Sequence, residues 1–553
     1  MPADQVETSP RMSRVAPFAP LAIAGFFLAV ALFHGLRTTR DLQWHPGNDA
    51  YRDIALAQII LDGDYPADYL YADEWLWYNP LTGALIAAGA WAADVPPPLA
   101  NVRMAPWLNL IVPIAFFVLV WYLTDAWIAL LALVSFLFLL PQDRPSFVSA
   151  GYSPWLLAPH LSQALFYATL LAWVVHLRSA SLRSALAAGC LLGLTFLGHT
   201  APAVLLGAIM VITATLSTLR EARAGQRSSA LARSTRLGVA LVVAFVVSLP
   251  FTISILYRYH LHVVNPRPTE WVWEGAALEN LPSILTDLIS FKSAFMVVGL
   301  IAIFFRALPR FVKEVVPTWL AVASAFLLYS LLAQWAARHG MTLPQINPGY
   351  HYVLYLIAIG HLLFALGLVW IVERILTGSL SGERKKMMSL VRVLGVVALA
   401  AVLFATNYRD FRVWHGFTRD HGVALRRLDQ LDSFAPYYWI VENTKPGAVF
   451  LSNDRPGLYC VAAAGRRVVA NDPYFSSLYV PYAPRAEARE LLWTALREKD
   501  EKTFKEAAKA WRVAYVLAEG EQRDWAAQSE FSDLEEVFAS TQFTIYRLPV
   551  WAH

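Results

Sequence analysis

About eleven apolar runs recur along this chain, most of them roughly 15 to 24 residues long, near the length a helix needs to cross about 30 Å of hydrocarbon. They fall at 17–36, 104–123, 126–140, 155–176, 186–198, 203–219, 237–256, 284–305, 316–335, 350–372 and 391–406. Composition agrees: 57% of the 553 residues are hydrophobic and only 16% are charged, which excludes an ordinary soluble globular chain. The expected fold class is a polytopic α-helical membrane protein of about eleven transmembrane helices. The fifth and sixth runs share one apolar stretch broken at Gly198-His199-Thr200-Ala201-Pro202, where proline favours a turn or kink.

Arginine and lysine set the orientation, because short cytoplasmic loops are enriched in them. With the N-terminus inside, the inner loops receive Arg178 and Arg183, then Arg220 to Arg236, then Arg306, Arg310 and Lys313, then Arg374 to Arg392. An odd number of spans places the loop 41–103, the loops near 142–154, 257–282 and 336–349, and everything after Thr406 on the outer face. The first run is long and lacks a clear small-residue cleavage site, so it reads as a retained span. The net charge of +4 reflects the inner loops and gives no reason to expect nucleic acid. Cysteine scarcity and the two-sided charge bias suit a bacterial inner membrane. Cys190 lies in a span and Cys460 in the terminal region, so no disulfide joins them, and cysteine offers no metal site.

The chain divides into a membrane domain, 1–406, and an outer α/β domain, 407–553. After Asn407 the apolar runs shorten to strand length, as in Ala448 to Leu451, Arg467 to Ala470 and Val513 to Leu517, while the segment from Glu487 to Lys509 is charge-rich and helical. This part holds no Gly-rich phosphate loop, and no internal repeat appears.

The loop after the first span concentrates chemistry. Asp49 follows Pro46-Gly47-Asn48, a turn that positions its carboxylate at the membrane interface. Two readings stand side by side: a functional carboxylate, or an N-cap for the amphipathic helix Ala50 to Leu61. Asp62-Gly63-Asp64-Tyr65-Pro66 is a turn by composition, and Asp68 and Asp73 are expected to face water. Trp75, Trp77, Tyr78 and Trp91 either seat short helices in the headgroup layer or offer sugar-stacking faces.

The later outer loops are basic. Arg258, His260, His262 and Arg267 crowd one of them, with Arg338, His339 and His351 near the outer ends of the ninth and tenth spans. Such groups can hold a phosphate headgroup or simply meet anionic lipids. In the second outer loop Asp143 adjoins Arg144, and His160 begins the following span. His361, in mid-span, reads as a structural histidine facing the bundle interior, and His199 marks the break between the fifth and sixth spans.

Together the acidic first loop, the Tyr78-Asn79-Pro80-Leu81 entry to an interfacial helix, the basic later loops and an outer α/β domain resemble the GT-C glycosyltransferase superfamily. Its members include protein O-mannosyltransferases, aminoarabinose transferases and oligosaccharyltransferase catalytic subunits. The resemblance implies transfer of a sugar, with inversion, from a polyprenyl-phosphate donor to a lipid, glycan or protein acceptor on the outer face. It implies Asp49 as general base, a task suited to a carboxylate whose pKa is raised by partial burial. Arg258, His262, Arg267, Arg338 and His351 would hold the donor phosphate, and Glu74, Trp77, Tyr78 and His160 would contact acceptor or sugar. Asp143, with His160, could hold Mg²⁺ or Mn²⁺ against that phosphate. Two departures matter. Leu451-Ser452-Asn453-Asp454 stands where oligosaccharyltransferases carry their Trp-Trp-Asp-Tyr-Gly motif, and Ala50 follows Asp49 where O-mannosyltransferases carry an adjacent Asp-Glu pair. The alternatives are a lipid-linked-sugar flippase or transporter, and a non-catalytic membrane scaffold.

Overall fold

The computed structural model describes residues 18–139, 150–270, 277–280, 282, 291–341, 343–344, 347–377, 384–414 and 434–549. Each apolar run coincides with a helix. Eight helices are long and apolar enough to cross a membrane: Phe18–Thr39, Pro97–Leu123, Ala158–Ser179, Thr200–Arg223, Arg227–Arg258, Arg310–Arg338, Tyr350–Ile375 and Leu390–Arg412. The third, fifth and eighth runs give shorter apolar helices, Ala126–Phe138, Leu182–Gly198 and Phe291–Phe305. The chain is an integral membrane protein.

The break in the long apolar stretch is a true helix junction. His199 leaves helical dihedrals (φ −165°, ψ 139°) and its ring accepts from the backbone N–H of Ala201, capping the helix that follows. Close packing then depends on small residues. A Cβ at Gly189 or Gly193, one turn apart, would stand 2.5 or 2.7 Å from the carbonyl oxygens of Ala240 and Ala244 on Arg227–Ile253, so only glycine lets these helices touch. At the end expected to face inward, Asp125 caps Ala126–Phe138 through the N–H groups of Trp127 and Ile128 and accepts from Arg392 at 2.5 Å. Glu373 accepts from Arg306 at 3.1 Å and lies 3.1 Å from Arg392, so four charges from four elements cluster there in opposite-sign contact.

The loop between the first and second long helices carries two short ones. Asp49–Leu61 buries Ala50, Asp53, Ile54 and Ala57 on one side, and Leu81–Ala93 follows it, with Trp91 79% exposed. That exposure suits the headgroup layer. Asp49 is the first residue of its helix and Asn48 occupies the cap position without a side-chain bond to the helix N–H groups, so the capping reading of Asp49 gives way to a carboxylate in the first turn, where the helix dipole favours negative charge.

The C-terminal region holds a five-stranded sheet of β1 (Val449–Leu451), β2 (Arg467–Val468), β3 (Val513–Glu519), β4 (Glu535–Ala539) and β5 (Phe543–Arg547), in the order β2-β1-β3-β5-β4. β1 runs parallel to β2 and β3, whereas β5 is antiparallel to both β3 and β4. The charge-rich helical segment is two helices, Ala483–Glu498 and Glu501–Ala510, the second capped by the Asp500 side chain on Thr503. The helix before this region, Arg384–Trp414, continues past Asn407.

The first loop and the sheet region are fastened together. The N–H of Val468 donates to the carbonyl of Leu70 at 2.8 Å, which adds a first-loop residue to the β2 edge. Arg466 and Arg467, both buried, donate to Asp62 and Asp64 at 2.6 Å, and the Tyr69 hydroxyl donates to the Phe475 carbonyl. The acids of the composition-defined turn are therefore anchors. Asp68, expected to face water, is fully buried: one carboxylate oxygen accepts from the N–H groups of Leu70 and Tyr71 at 2.7 and 2.9 Å. Burial pushes its carboxyl up to about 6, against those N–H groups and the nearby Arg467 and Arg485. Asp73 remains exposed and pairs with Arg512.

Candidate active site

The helix Asp49–Leu61 presents three ionisable side chains in its first five residues. Asp49 is exposed, Arg52 is half-buried, and Asp53 is 1% exposed. Asp49 and Arg52 are three apart and share a helix face, where i,i+3 neighbours interact. The Arg52 guanidinium lies 3.4 Å over the Tyr78 ring, a cation–π contact, and its electrostatic neighbours are Tyr78, Tyr69, Asp49 and Asp53. Its Nε is buried with no hydrogen-bond partner. An arginine held by a ring face, with donor capacity unspent, is suited to an anion.

Asp53 does different work. Its carboxylate accepts from the backbone N–H of Ala158, the first residue of Ala158–Ser179, and its Oδ1 is buried without a partner. Burial pushes its carboxyl up to about 7, opposed by Arg52 and by that N–H. The burial expected for the base of the first loop thus belongs to Asp53, one turn beyond the exposed Asp49.

The turn before Asp49 is fixed from both sides. The His45 ring accepts from the Gly47 N–H at 2.9 Å and packs edge-on against Trp155 at 5.4 Å; burial pushes its pKa down to about 4. The hydroxyl of Tyr459, in the sheet region, donates to Asn48 Oδ1, while its ring lies 4.0 Å from that of Tyr51. On the membrane side Asn79 donates to the Phe196 carbonyl at 2.5 Å and contacts Thr200, seating the Tyr78-Asn79-Pro80-Leu81 entry against the helix junction.

The structure brings part of the expected set together. Tyr78 lies beneath Arg52, and Tyr350 is an electrostatic neighbour of Asp49, Tyr78 and Arg52. His351 stacks on Tyr350 at 4.1 Å and on His199 at 4.4 Å, and Arg52 acts on both histidines. Trp77 is buried beside Tyr69, its indole N–H unpartnered. Glu74 accepts from the Tyr259 hydroxyl at 3.3 Å and lies 3.7 Å from Arg258, which also donates to the Asp73 carbonyl. Tyr259 stacks on Tyr479 at 4.9 Å, and Asn265 donates to the carbonyls of Pro473 and Ser477, so the segment from Tyr259 to Asn265 is clamped between the first loop and the sheet region.

Other candidates stand elsewhere. Arg338 pairs with Glu279, while His262 and Arg267 are exposed on the clamped loop. His160 is fully buried in the first turn of its helix, 3.4 Å from Gln163. Asp143 lies outside the described residues, and among the described residues no group of three or more His, Cys, Asp or Glu is placed to hold a metal. His361 is buried with its ring edge-on to Phe136. Arg52 and Asp53 went unread in the sequence; the available signal was their i+3 and i+4 spacing from Asp49 on a helix that was itself expected.

A short helix bearing an acid and an arginine, a helical bundle behind it and a sheet region fastened over it make up the fold. Solved structures share it. ArnT from Cupriavidus metallidurans in the apo state has a TM-score of 0.52 and 14% identity, over 96% of this chain and 98% of that one. The same protein bound to undecaprenyl phosphate has a TM-score of 0.54 and 12% identity, over 95% and 97%. The archaeal oligosaccharyltransferase AglB from Archaeoglobus fulgidus, in complex with an inhibitory peptide and a dolichol-phosphate, has a TM-score of 0.51 and 13% identity, over 98% and 75%. At these identities the likeness is one of fold. No protein-family model and no curated protein matches the chain.

Proposed function

We propose that this protein is a membrane glycosyltransferase that moves a sugar from a polyprenyl-phosphate donor to an acceptor hydroxyl on the outer face of a bacterial inner membrane, with its N-terminus cytoplasmic. The observation that carries the reading is the pairing of exposed Asp49 with half-buried Arg52 on one face of an interfacial helix. The fold it shares with proteins solved with undecaprenyl phosphate and dolichol-phosphate supports it.

In this reading Asp49 takes the proton of the acceptor hydroxyl as that oxygen bonds to the anomeric carbon. The bond from the anomeric carbon to the phosphate oxygen breaks, and its electron pair leaves with the polyprenyl phosphate. A single displacement inverts the carbon. Arg52, desolvated over Tyr78, meets the charge growing on the phosphate, with His351 and Tyr350 behind it. Arg258 and Glu74, in mutual contact, form the rim toward the sheet region, where an acceptor approaches.

The test is transfer by the purified protein in nanodiscs from a panel of polyprenyl-phosphate sugars, comparing wild type with Asp49→Asn and Arg52→Gln. Loss of roughly a hundredfold or more in kcat for Asp49→Asn, with a raised donor KM for Arg52→Gln, is the expected result. Wild-type transfer that survives in Asp49→Asn removes Asp49 from the role of base.

A further inference from the structure

Asn48 stands at the start of the helix Asp49–Leu61 without capping it. An asparagine in that position ordinarily takes extended dihedrals and accepts through its side chain from an N–H two or three residues on, here Ala50 or Tyr51. Asn48 instead has helical dihedrals (φ −61°, ψ −39°), and its backbone carbonyl accepts from the Tyr51 N–H at 3.1 Å. Its Oδ1 accepts from the Tyr459 hydroxyl, some four hundred residues along the chain. The two arrangements differ in the backbone that leads into Asp49. The partner of one side-chain oxygen therefore decides how the carboxylate is presented.

The hydroxyl that takes this oxygen is held firmly. Tyr459 lies in the π-helical turn Gly457–Ala462, whose residues Leu458, Cys460, Val461 and Ala462 are all buried. Its ring is 4.0 Å from that of Tyr51 and has the Arg455 guanidinium 5.7 Å away over it. Tyr51 in turn stacks on Trp44 at 5.9 Å and donates through its hydroxyl to the His45 carbonyl at 3.0 Å, while Trp44 packs edge-on against Tyr437 at 4.8 Å. Aromatic packing thus fixes the ring, and the hydroxyl alone reaches Asn48. Packing and hydrogen bond are separable: phenylalanine at 459 keeps the first and deletes the second.

We propose that Tyr459 is a positioning residue, by which the sheet region holds Asn48 off its own helix and so sets the placement of the Asp49 carboxylate. Without the hydroxyl, Asn48 turns to cap Ala50 or Tyr51 and carries Asp49 with it. That this placement serves a base rests on the proposed transfer reaction; the coupling of the sheet region to the turn does not.

The experiment compares Tyr459→Phe, Asn48→Ala and the double variant with wild type, each as full-length protein in nanodiscs, by amide hydrogen exchange and by transfer kinetics. Exchange at Ala50 or Tyr51 should slow roughly fivefold in Tyr459→Phe, as Asn48 becomes a cap, and Tyr459→Phe should change nothing further once Asn48 is alanine. In transfer, Tyr459→Phe should lower kcat roughly tenfold with donor KM unchanged, because the donor is held elsewhere and only the base is misplaced. Asn48→Ala reaches the same bond from an exposed position whose loss does not threaten folding, and should lower kcat as Tyr459→Phe does, without adding to it. Exchange that is unchanged or faster in Tyr459→Phe overturns the coupling. Unaltered kcat in an active Tyr459→Phe, or additive losses in the double variant, overturn the positioning role. If wild type transfers no sugar from any donor, the transfer reading falls and exchange alone decides the coupling.

Discussion

Replacing Asp53 by asparagine should change how the stability of this protein depends on pH. The Asp53 carboxyl is raised from 3.8 to about 7 in the folded chain. Between those values the unfolded chain has released this proton and the folded chain still holds it, so the folded state binds more protons and loses stability as pH rises. The contribution is fully present below pH 4 and is gone once pH passes through about 7. A shift of about three units corresponds to about 4 kcal/mol in total, or about 1.4 kcal/mol per pH unit along the slope. Asparagine keeps the shape and can still accept from the Ala158 N–H, but has no proton to lose. The starting difference between the two proteins depends on the contact with Arg52; the slope of that difference does not. Reversible unfolding in detergent, followed by tryptophan fluorescence from pH 4 to pH 8, should show Asp53→Asn gaining on wild type steadily up to about pH 7 and then running parallel. A difference independent of pH would refute the buried, protonated Asp53 and its role in tying the interfacial helix to Ala158–Ser179.

Other outcomes are equally specific. Asp62→Ala strands the buried Arg466 guanidinium, which keeps its bonds to Thr444 and Ala464, and should cost about 1–3 kcal/mol, seen as a lower melting temperature and faster proteolysis of the sheet region. Gly193→Leu should separate Leu182–Gly198 from Arg227–Ile253 and destabilise the bundle by about 1–3 kcal/mol or more, measured by unfolding in mixed micelles. Arg258→Gln breaks a 3.7 Å contact between a half-exposed arginine and Glu74 and should change stability by less than about 1 kcal/mol; a donor KM raised less than by Arg52→Gln would assign the phosphate to Arg52. Adding a carboxylate at Asn48, as Asn48→Asp, keeps an acceptor for the Tyr459 hydroxyl but should repel Asp49 and lower transfer without unfolding the chain, as checked by kcat beside a melting curve.

Much of the architecture was legible because lipid permits few solutions. An apolar run in a bilayer becomes a helix, since only a helix satisfies its own backbone groups, and each expected run became one. Asp49–Leu61 was also readable, from a polar turn followed by an amphipathic pattern. The acids of the first loop were read less well. Asp62, Asp64 and Asp68 share a turn-like composition with solvent-facing loops, yet their partners or covers, Arg466, Arg467 and the β2 edge, lie some four hundred residues away. No local pattern announces a partner that distant.

The basic loop shows the same division. Its charge pointed to an anion, but Arg258 is beside Glu74 and Arg338 beside Glu279, whereas Arg52, inside a helix read chiefly for Asp49, keeps a buried Nε with no hydrogen-bond partner. By itself the sequence determined that this protein lives in a membrane, which segments are helices and that its first loop carries a positioned carboxylate, because hydropathy and turn chemistry act over short stretches of chain. Only the tertiary structure decided which carboxylate is buried, which arginine remains available and how the sheet region closes over the first loop, because burial and pairing depend on residues brought together from opposite ends of the chain.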